Sequence, residues 1–582
     1  MLRTFTTSKI RPCVSLDGLW CMTANDREWQ VYVPGCRETV PGLENYRGVS
    51  VYERTVEAEG NLLFTFSGVS HTARICLDGI ELGRHEGAYT GFSVLAADVK
   101  PGEHRLAVEV DNSFGEANAL SIPNDYMTYG GITRSCRMEK IGSAYLSHLQ
   151  LIPYKSGEDW MLEVRVRLNG ASGITSSEVV CILEGTERIL GEASVGAGMQ
   201  KEFRGKFPVR SPRIYTPENP AFTYVRCVLR DNGKDIDDLI ERTGLRTIRA
   251  EGTKILFNDQ PVRIRGFNRH EDHGLFGSSL PPAAMVQDLQ LIRDLGGNAV
   301  RTSHYPNDPY FLDLCDEMGI LVWEESHARG LSEEQMHHPL FLRQSRQCIE
   351  EMILRDSSHP CIFIWGLLNE CASCADSCRP IYQELIGLIR SLDPSRPVTY
   401  ATCYPGSEVT GEKPETVKKG FSDGDQCLDL CDVVSFNSYP GWYHNAPCKE
   451  YLEKVRTWAR QHGGENKPYI VSEIGAGAIY GFRSRTNDKW SEERQADLLQ
   501  EQLEAIVSNE DTCGVFIWQF ADCRVSSECF YGRPRTMNNK GILDEYRRPK
   551  LAADNVRNVL PNMKNPLAII LQLLPFKETS QS

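Results

Sequence analysis

Eight apolar runs between residues 262 and 522, each ending in polar or ionisable side chains, restrict this chain's fold more than any other feature. They are VRIRGFNRH (262–270), NAVRTSHYP (298–306), ILVWEES (320–326), CIFIWGLLNE (361–370), PVTYATC (397–403), DVVSFNSYP (432–440), PYIVSEIG (468–475) and GVFIWQFAD (514–522). Runs this apolar on both faces read as strands of a covered parallel sheet. Amphipathic windows separate them; Phe341, Cys348, Ile349, Met352 and Ile353 fall at helical spacing before the fourth. Eight such units in roughly 300 residues are the count of a (β/α)8 TIM barrel, in which chemistry sits at the C-terminal ends of the strands. Those ends carry Asn268, Arg269 and His270; His304 and Tyr305; Glu324 and Glu325; Asn369 and Glu370; Asn437 and Tyr439; Glu473; and Asp522. Solvation alone does not place acids, amides and histidines on strand after strand, so the barrel mouth is the expected site.

Upstream of residue 250 the texture differs. Short alternating runs such as NLLFTFSGV (61–69), TARICLDGI (72–80) and HRLAVEVDN (104–112) are divided by Gly, Asp and Pro turns. A second group, WMLEVRVRL (160–168), SEVVCILEG (177–185) and TYVRCVLRD (223–231), follows a break near Pro153–Asp159. The expected architecture is multidomain: a first β-sandwich over 1–152, a second over 153–249, a catalytic barrel over 250–565 and a C-terminal tail over 566–582.

Charge and cysteine content narrow the partners. A formal net charge of −14 argues against nucleic acid or an anionic membrane surface as a partner. The N-terminus lacks the apolar run of a secretory signal, and the apolar stretch 567–574 is too short to span a bilayer. Twenty cysteines scattered among apolar residues read as reduced thiols of a cytoplasmic protein. Cys371, Cys374 and Cys378 approach a metal-binding spacing but lack a fourth ligand. No phosphate-loop, H-E-x-x-H or calcium-loop motif is present, so neither cofactor nor metal is expected.

Against that acidic background one loop stands out. RPRTMNNKGIL (533–543) gathers Arg533, Arg535 and Lys540 around Asn538 and Asn539 with no regular period. Screening confines surface fields to about 8 Å at physiological salt, so such a cluster governs its own surroundings whatever the net charge. Elsewhere, Glu370 closes the fourth strand behind Asn369, and Glu473 closes the seventh. Two carboxylates facing one pocket divide into acid and nucleophile, because burial and like charge push their proton affinities apart.

NAVRTSHYP followed by FLDLCDEMGILVW, together with RDSSHPCIFIWGLLNE, resembles the two signature segments of glycoside hydrolase family 2, and the similarity spans nearly the whole chain. It implies a jelly-roll sugar-binding-like domain, an immunoglobulin-like sandwich and a catalytic barrel. It also implies that Glu370 is the acid/base and Glu473 the nucleophile of a retaining hydrolase, whose carboxyl groups lie roughly 5–5.5 Å apart. Within the family, Asn538-Asn539-Lys540 resembles the Asn-x-Lys motif by which β-glucuronidases hold the sugar carboxylate, with Arg535 beside it. The resemblance extends to Tyr439 and Tyr443 near the nucleophile and the uronate, and to Trp518 as the aromatic floor. It makes Asn369 a partner of the 2-hydroxyl, Asp125 the first domain's contact with ring hydroxyls, and His304 a member of the same mouth. A small-molecule or oligosaccharide β-glucuronide is the implied substrate, with galacturonides or neutral sugars as the alternative, and a homo-oligomer is expected. Ser438 and Pro440 depart from the family pattern around Tyr439. The connection from His327 to Pro339 is short, which implies an open mouth suited to larger glycosides, and the long 404–429 loop is expected to line it.

Overall fold

A computed structural model describes residues 3–411 and 424–565; the expected tail 566–582 and the middle of the 404–429 loop lie outside the described residues. The eight apolar runs form a closed parallel barrel: β1 (Ile264–Asn268), β2 (Ala299–Arg301), β3 (Leu321–Glu325), β4 (Ile362–Asn369), β5 (Val398–Thr402), β6 (Val434–Asn437), β7 (Tyr469–Ile474) and β8 (Gly514–Ile517). Because strand side chains alternate, each strand supplies two apolar layers. Ile264, Ala299, Leu321, Trp323, Ile364 and Phe516 pack together inside the barrel, over a floor of Tyr215, Ile248, Ile255 and Phe257. Phe267, Val300, Val322, Ile362, Val515 and Ile517 face the surrounding helices. Helices Phe341–Asp356 and Arg379–Leu392 present the apolar stripes read from the sequence, burying Ile349, Met352 and Ile353 on one and Leu385, Ile386 and Ile389 on the other.

Before the barrel come the two β units. The first is an eight-stranded antiparallel sheet built on the long strands Val49–Phe66 and Phe92–Asp111, which enclose Trp20, Met22, Phe64, Phe66 and Val108. The second packs a three-stranded sheet against a four-stranded one around Val164, Val166, Val179, Cys181 and Cys227. Pro153 lies inside the strand Ala144–Ser156, opposite Leu162. That strand is at a sheet edge, where a residue without an N–H is tolerated.

Two segments tie these units to the barrel. Residues 3–11 run across the second sandwich: Arg3 bonds both Glu241 and the barrel's Asp313, backbone amides at Lys9 and Ile10 bond Asp238, and Arg11 bonds Asp237. The first domain's segment after Asp111 reaches over the barrel mouth. There Ser121 meets His327 at 2.9 Å, Tyr129 donates to Asp272 at 2.9 Å, and Arg134 pairs with Glu271 at 2.7 Å. Among the described residues no helix is long and apolar enough to cross a membrane.

Candidate active site

Strand alternation decides which polar ends enter the mouth. Counting by twos from the interior residues leads to Asn268 on β1, Arg301 on β2 and Glu325 on β3, and Arg301 bonds the other two. Arg301 donates to Asn268 Oδ1 at 3.1 Å and forms a two-pronged pair with Glu325, Nε to Oε2 at 2.8 Å and Nη2 to Oε1 at 3.1 Å. Their neighbours point the other way. Arg269 pairs with Asp288 at 2.9 Å, and Glu324 lies near Arg355 and Asp356. Burial and Asp356 push Glu324 well above the ordinary carboxyl range.

Arg301 was not anticipated as a site residue, yet it is the hub: it also donates to Glu473 Oε1 at 3.0 Å and Asn369 Oδ1 at 2.8 Å. Its sequence signal was an arginine inside an otherwise apolar buried strand. Glu473 takes a second bond, from the Tyr439 hydroxyl to Oε2. Burial and the neighbouring Glu370 carboxylate nevertheless push Glu473 up to about 7, against the pull of Arg301 and Tyr439. Glu370 follows β4 with φ 51°, a left-handed conformation uncommon outside glycine, which turns its side chain into the mouth. Its two oxygens accept from Asn437 Nδ2 at 2.9 Å and Arg329 Nη2 at 3.3 Å. Asn369 accepts from Arg301 and Asn437, while its buried Nδ2 has no partner among the described residues.

His304 and Trp518 form the floor, their rings stacked 5.1 Å apart with 16° between planes. His304 Nδ1–H donates to Glu325 Oε1 at 2.8 Å, which leaves the Nε2 lone pair unpartnered among the described residues. Burial, reinforced by Arg301 and Arg329, holds the ring neutral, far below the usual histidine value.

The loop 533–541 and the first domain close one side. Asp125 Oδ2 accepts from Arg533 at 2.7 Å and from Asn538 Nδ2 at 3.2 Å, and Oδ1 lies 3.4 Å from Arg329. Although burial opposes it, Arg329, Arg533 and Lys540 hold Asp125 well below the ordinary carboxyl range. Lys540 is 3% exposed; Nζ donates to the Tyr443 hydroxyl at 2.6 Å and sits 4.4 Å from the ring centres of Tyr439 and Tyr443. Asn539, between the two motif residues, bonds its own loop at Pro534 O and Met537 O. Arg535 pairs with Glu545 at 2.7 Å, and it is Arg533 that lies beside Asp125. Left-handed backbone at Arg535 and Thr536 (φ 61° and 59°) sends the two arginines in different directions. The turn is pinned from below: Asp522 Oδ1 accepts from Gly541 N at 2.9 Å and Lys550 Nζ at 2.7 Å. A Cβ at Gly541 would lie 2.2 Å from Asp522 N, so only glycine permits that approach.

Of the eleven sequence-derived candidates, ten (Glu370, Glu473, Asp125, His304, Asn369, Tyr439, Tyr443, Trp518, Asn538 and Lys540) are joined through these contacts; Arg535 is not. Arg301, Arg329, Glu325 and Arg533 complete the set. Cys371, Cys374 and Cys378 do not converge as metal ligands; among the described residues the one group close enough is Asp316, His359 and Cys361. There Asp316 already accepts from His359 Nδ1 at 2.6 Å and Cys361 N at 2.9 Å. A groove of about 780 Å³ lined by Arg249, Arg390, Asp432 and Lys467 lies away from this chemistry. Its cations are already engaged, Arg390 by Asp432 and Lys467 by three backbone carbonyls.

Residues 248–565 match the family described as glycosyl hydrolases family 2, TIM barrel domain. A β-glucuronidase of Sus scrofa is 26% identical over 94% of this chain and 90% of its own length. One from Streptococcus agalactiae is 26% identical over 87% of both. Among solved structures, a GH2 β-galacturonidase from Eisenbergiella tayi bound to galacturonate is 45% identical, with a TM-score of 0.91 over 97% of this chain and 100% of that one. A Bifidobacterium dentium β-glucuronidase, 23% identical with a TM-score of 0.81, shares the fold. A family match over more than half the chain, joined to a full-length relative at 45% identity, establishes that this protein belongs to glycoside hydrolase family 2 and is a glycosidase.

Proposed function

We propose that this glycosidase is a retaining exo-β-uronidase, releasing a terminal β-linked hexuronic acid, with β-D-glucuronides as the first reading. One observation carries it: Lys540 is buried in the mouth with no acidic partner within ion-pair distance among the described residues. A buried ammonium held only by a phenol and two aromatic faces is a receptor for an anion, and Asn538 and Arg533 lie beside it. A neutral hydroxymethyl group in that place would leave the charge unpaired, which selects against galactosides and glucosides.

In this reading Glu473, bonded by Arg301 and Tyr439, reacts as the carboxylate, and Glu370 delivers the proton. Glu473 attacks the anomeric carbon as the glycosidic C–O bond breaks, and the Glu370 proton passes to the departing oxygen. Water then attacks the anomeric carbon and gives its proton to Glu370, freeing Glu473 and the uronic acid. Asn369 Nδ2 meets the 2-hydroxyl, and the Trp518 face and His304 underlie the ring. Asp125 takes ring hydroxyls from above, and Tyr443 and Lys540 hold the carboxylate. The short 327–339 connection leaves the leaving-group side open to larger glycosides.

A second reading rests on the Eisenbergiella relative, a β-galacturonidase, which makes β-galacturonides the alternative substrate. Turnover of p-nitrophenyl β-D-glucuronide, β-D-galacturonide and β-D-galactoside distinguishes these readings, with NMR following the first-formed anomer. The expected result is uronide turnover with β-anomer product and negligible galactoside turnover. Preferred cleavage of the galactoside would reject the uronate clamp, and an α-anomer first product would reject retention.

A further inference from the structure

The acid/base glutamate is gripped by an arginine that the first domain holds in place. Arg329 lies in the loop after β3, with its side chain 25% exposed. Nη2 donates to Glu370 Oε2 at 3.3 Å; Nη1 donates to Asn124 Oδ1 at 2.5 Å and lies 3.4 Å from Asp125 Oδ1. Its backbone is fixed as well: Asn124 Nδ2 reaches Arg329 O at 3.4 Å, and Gly330 N donates to Asn369 O at 2.8 Å. Asn124 and Asp125 belong to the first-domain segment, Glu370 to the end of β4. One guanidinium therefore spans the domain seam from a β-sandwich loop to the catalytic strand. We infer that Arg329 is a positioning residue for the general acid, coupling docking of the first domain to proton delivery by Glu370.

The argument is geometric, and it rests on the acid/base role proposed for Glu370. A carboxyl group delivers its proton along one direction, and among the described residues Glu370 is aimed by two side-chain donors, Asn437 on one oxygen and Arg329 on the other. Asn437 is locked within the barrel by Ser472, whose hydroxyl donates to its Oδ1 at 2.7 Å. The other prong of the Arg329 guanidinium is held instead by Asn124 and Asp125 of the first domain. Lysine cannot replace it, because a single ammonium does not present two forks to two acceptors at once.

The test uses a property that general damage does not mimic. Loss of general-acid assistance slows substrates with poor leaving groups and spares those whose leaving group departs unprotonated. Arg329→Gln, Arg329→Lys, Asn124→Ala and Glu370→Gln are assayed in the full chain with phenyl and 2,4-dinitrophenyl β-D-glucuronides, or the galacturonide pair if that epimer is the one turned over. General-acid contributions are about 10²–10⁴-fold, and kcat/KM reports the glycosylation step alone, so Arg329→Gln and Arg329→Lys are expected to lower kcat/KM on the phenyl substrate at least about tenfold while changing dinitrophenyl kcat/KM less than about threefold. Asn124→Ala is expected to shift the same ratio in the same direction by a smaller factor, and it decides the question if the Arg329 variants lack a folded thermal transition. Equal losses on both substrates, or a rise in KM alone, would overturn the inference and make Arg329 a structural or sugar-contacting residue. Glu370→Gln separates the two levels. If it shows the leaving-group selectivity and the Arg329 and Asn124 variants do not, the positioning role alone fails; if it shows none, the acid/base assignment fails and the positioning role with it.

Discussion

In the mouth, the Lys540 ammonium has two phenol rings and one hydroxyl around it, and a charge-assisted bond to a carboxylate is worth roughly 1.5–3 kcal/mol. Lys540→Ala is therefore expected to cut uronide kcat/KM by about 10–100-fold, at about 1.4 kcal/mol per tenfold, without a matching loss on any neutral glycoside. Steady-state kinetics on the paired substrates checks it, and unchanged uronide turnover contradicts the clamp. The second residue-scale expectation concerns Glu473, raised to about 7 by burial and by Glu370. Its ionised form is the nucleophile, so the acid limb of the kcat/KM profile reports its proton. Glu370→Gln removes the neighbouring negative charge, which favours ionised Glu473, so that limb should move to lower pH. A dinitrophenyl substrate makes the measurement possible because it needs no acid. A limb that stays in place or moves upward means that Glu370 does not couple to Glu473.

At the scale of elements, the 533–541 loop shows how a turn distributes charge. Arg533 and Arg535 are two residues apart, yet one faces Asp125 and the other Glu545. Arg533→Ala is expected to weaken uronide kcat/KM about tenfold, whereas Arg535→Ala, a partly exposed pair with Glu545, should change it less than about threefold. The reverse order would restore Arg535 to the binding set. The strand ends were legible because alternation along β1–β3 fixes which side chains face inward, and Asn268, Arg301 and Glu325 obey it. The direction of Arg535 was not legible, since two consecutive left-handed residues leave no pattern in an irregular loop. Arg329 escaped notice for a similar reason: it sits in a connection, and its importance comes from Asn124, 205 positions away.

For the whole molecule, the 3–11 segment fastens the second sandwich to the barrel. Arg3 joins Glu241 to Asp313, and Asp313 is itself fully buried. Despite its burial, Arg3 and His359 hold Asp313 below the ordinary carboxyl range. Its folded-state value being depressed, the clasp contributes fully above the unfolded carboxyl value and weakens as pH falls through the folded one. Arg3→Ala leaves a buried carboxylate short of a partner, a change that costs about 3–5 kcal/mol. The expected outcome is a lower thermal midpoint and faster proteolysis between the sandwich and the barrel, more pronounced at neutral than at acidic pH. An unaltered midpoint at neutral pH would show that the segment is not a clasp.

The amino-acid order alone determined the barrel, the β texture before it and most of the chemistry-bearing strand ends, because periodicity in apolar residues is a local property that survives without contacts. The position of the second sandwich's first strand, the opposite fates of Arg533 and Arg535, and the cross-domain grip of Arg329 on Glu370 were decided by tertiary structure. Each depends on which group the fold brings beside a side chain: a sheet edge for Pro153, Asp125 and Glu545 for the two arginines, Asn124 for the third. Such partners, ten residues away for Arg535 and hundreds for Arg533 and Arg329, are chosen by packing, and packing has no signature in a linear pattern.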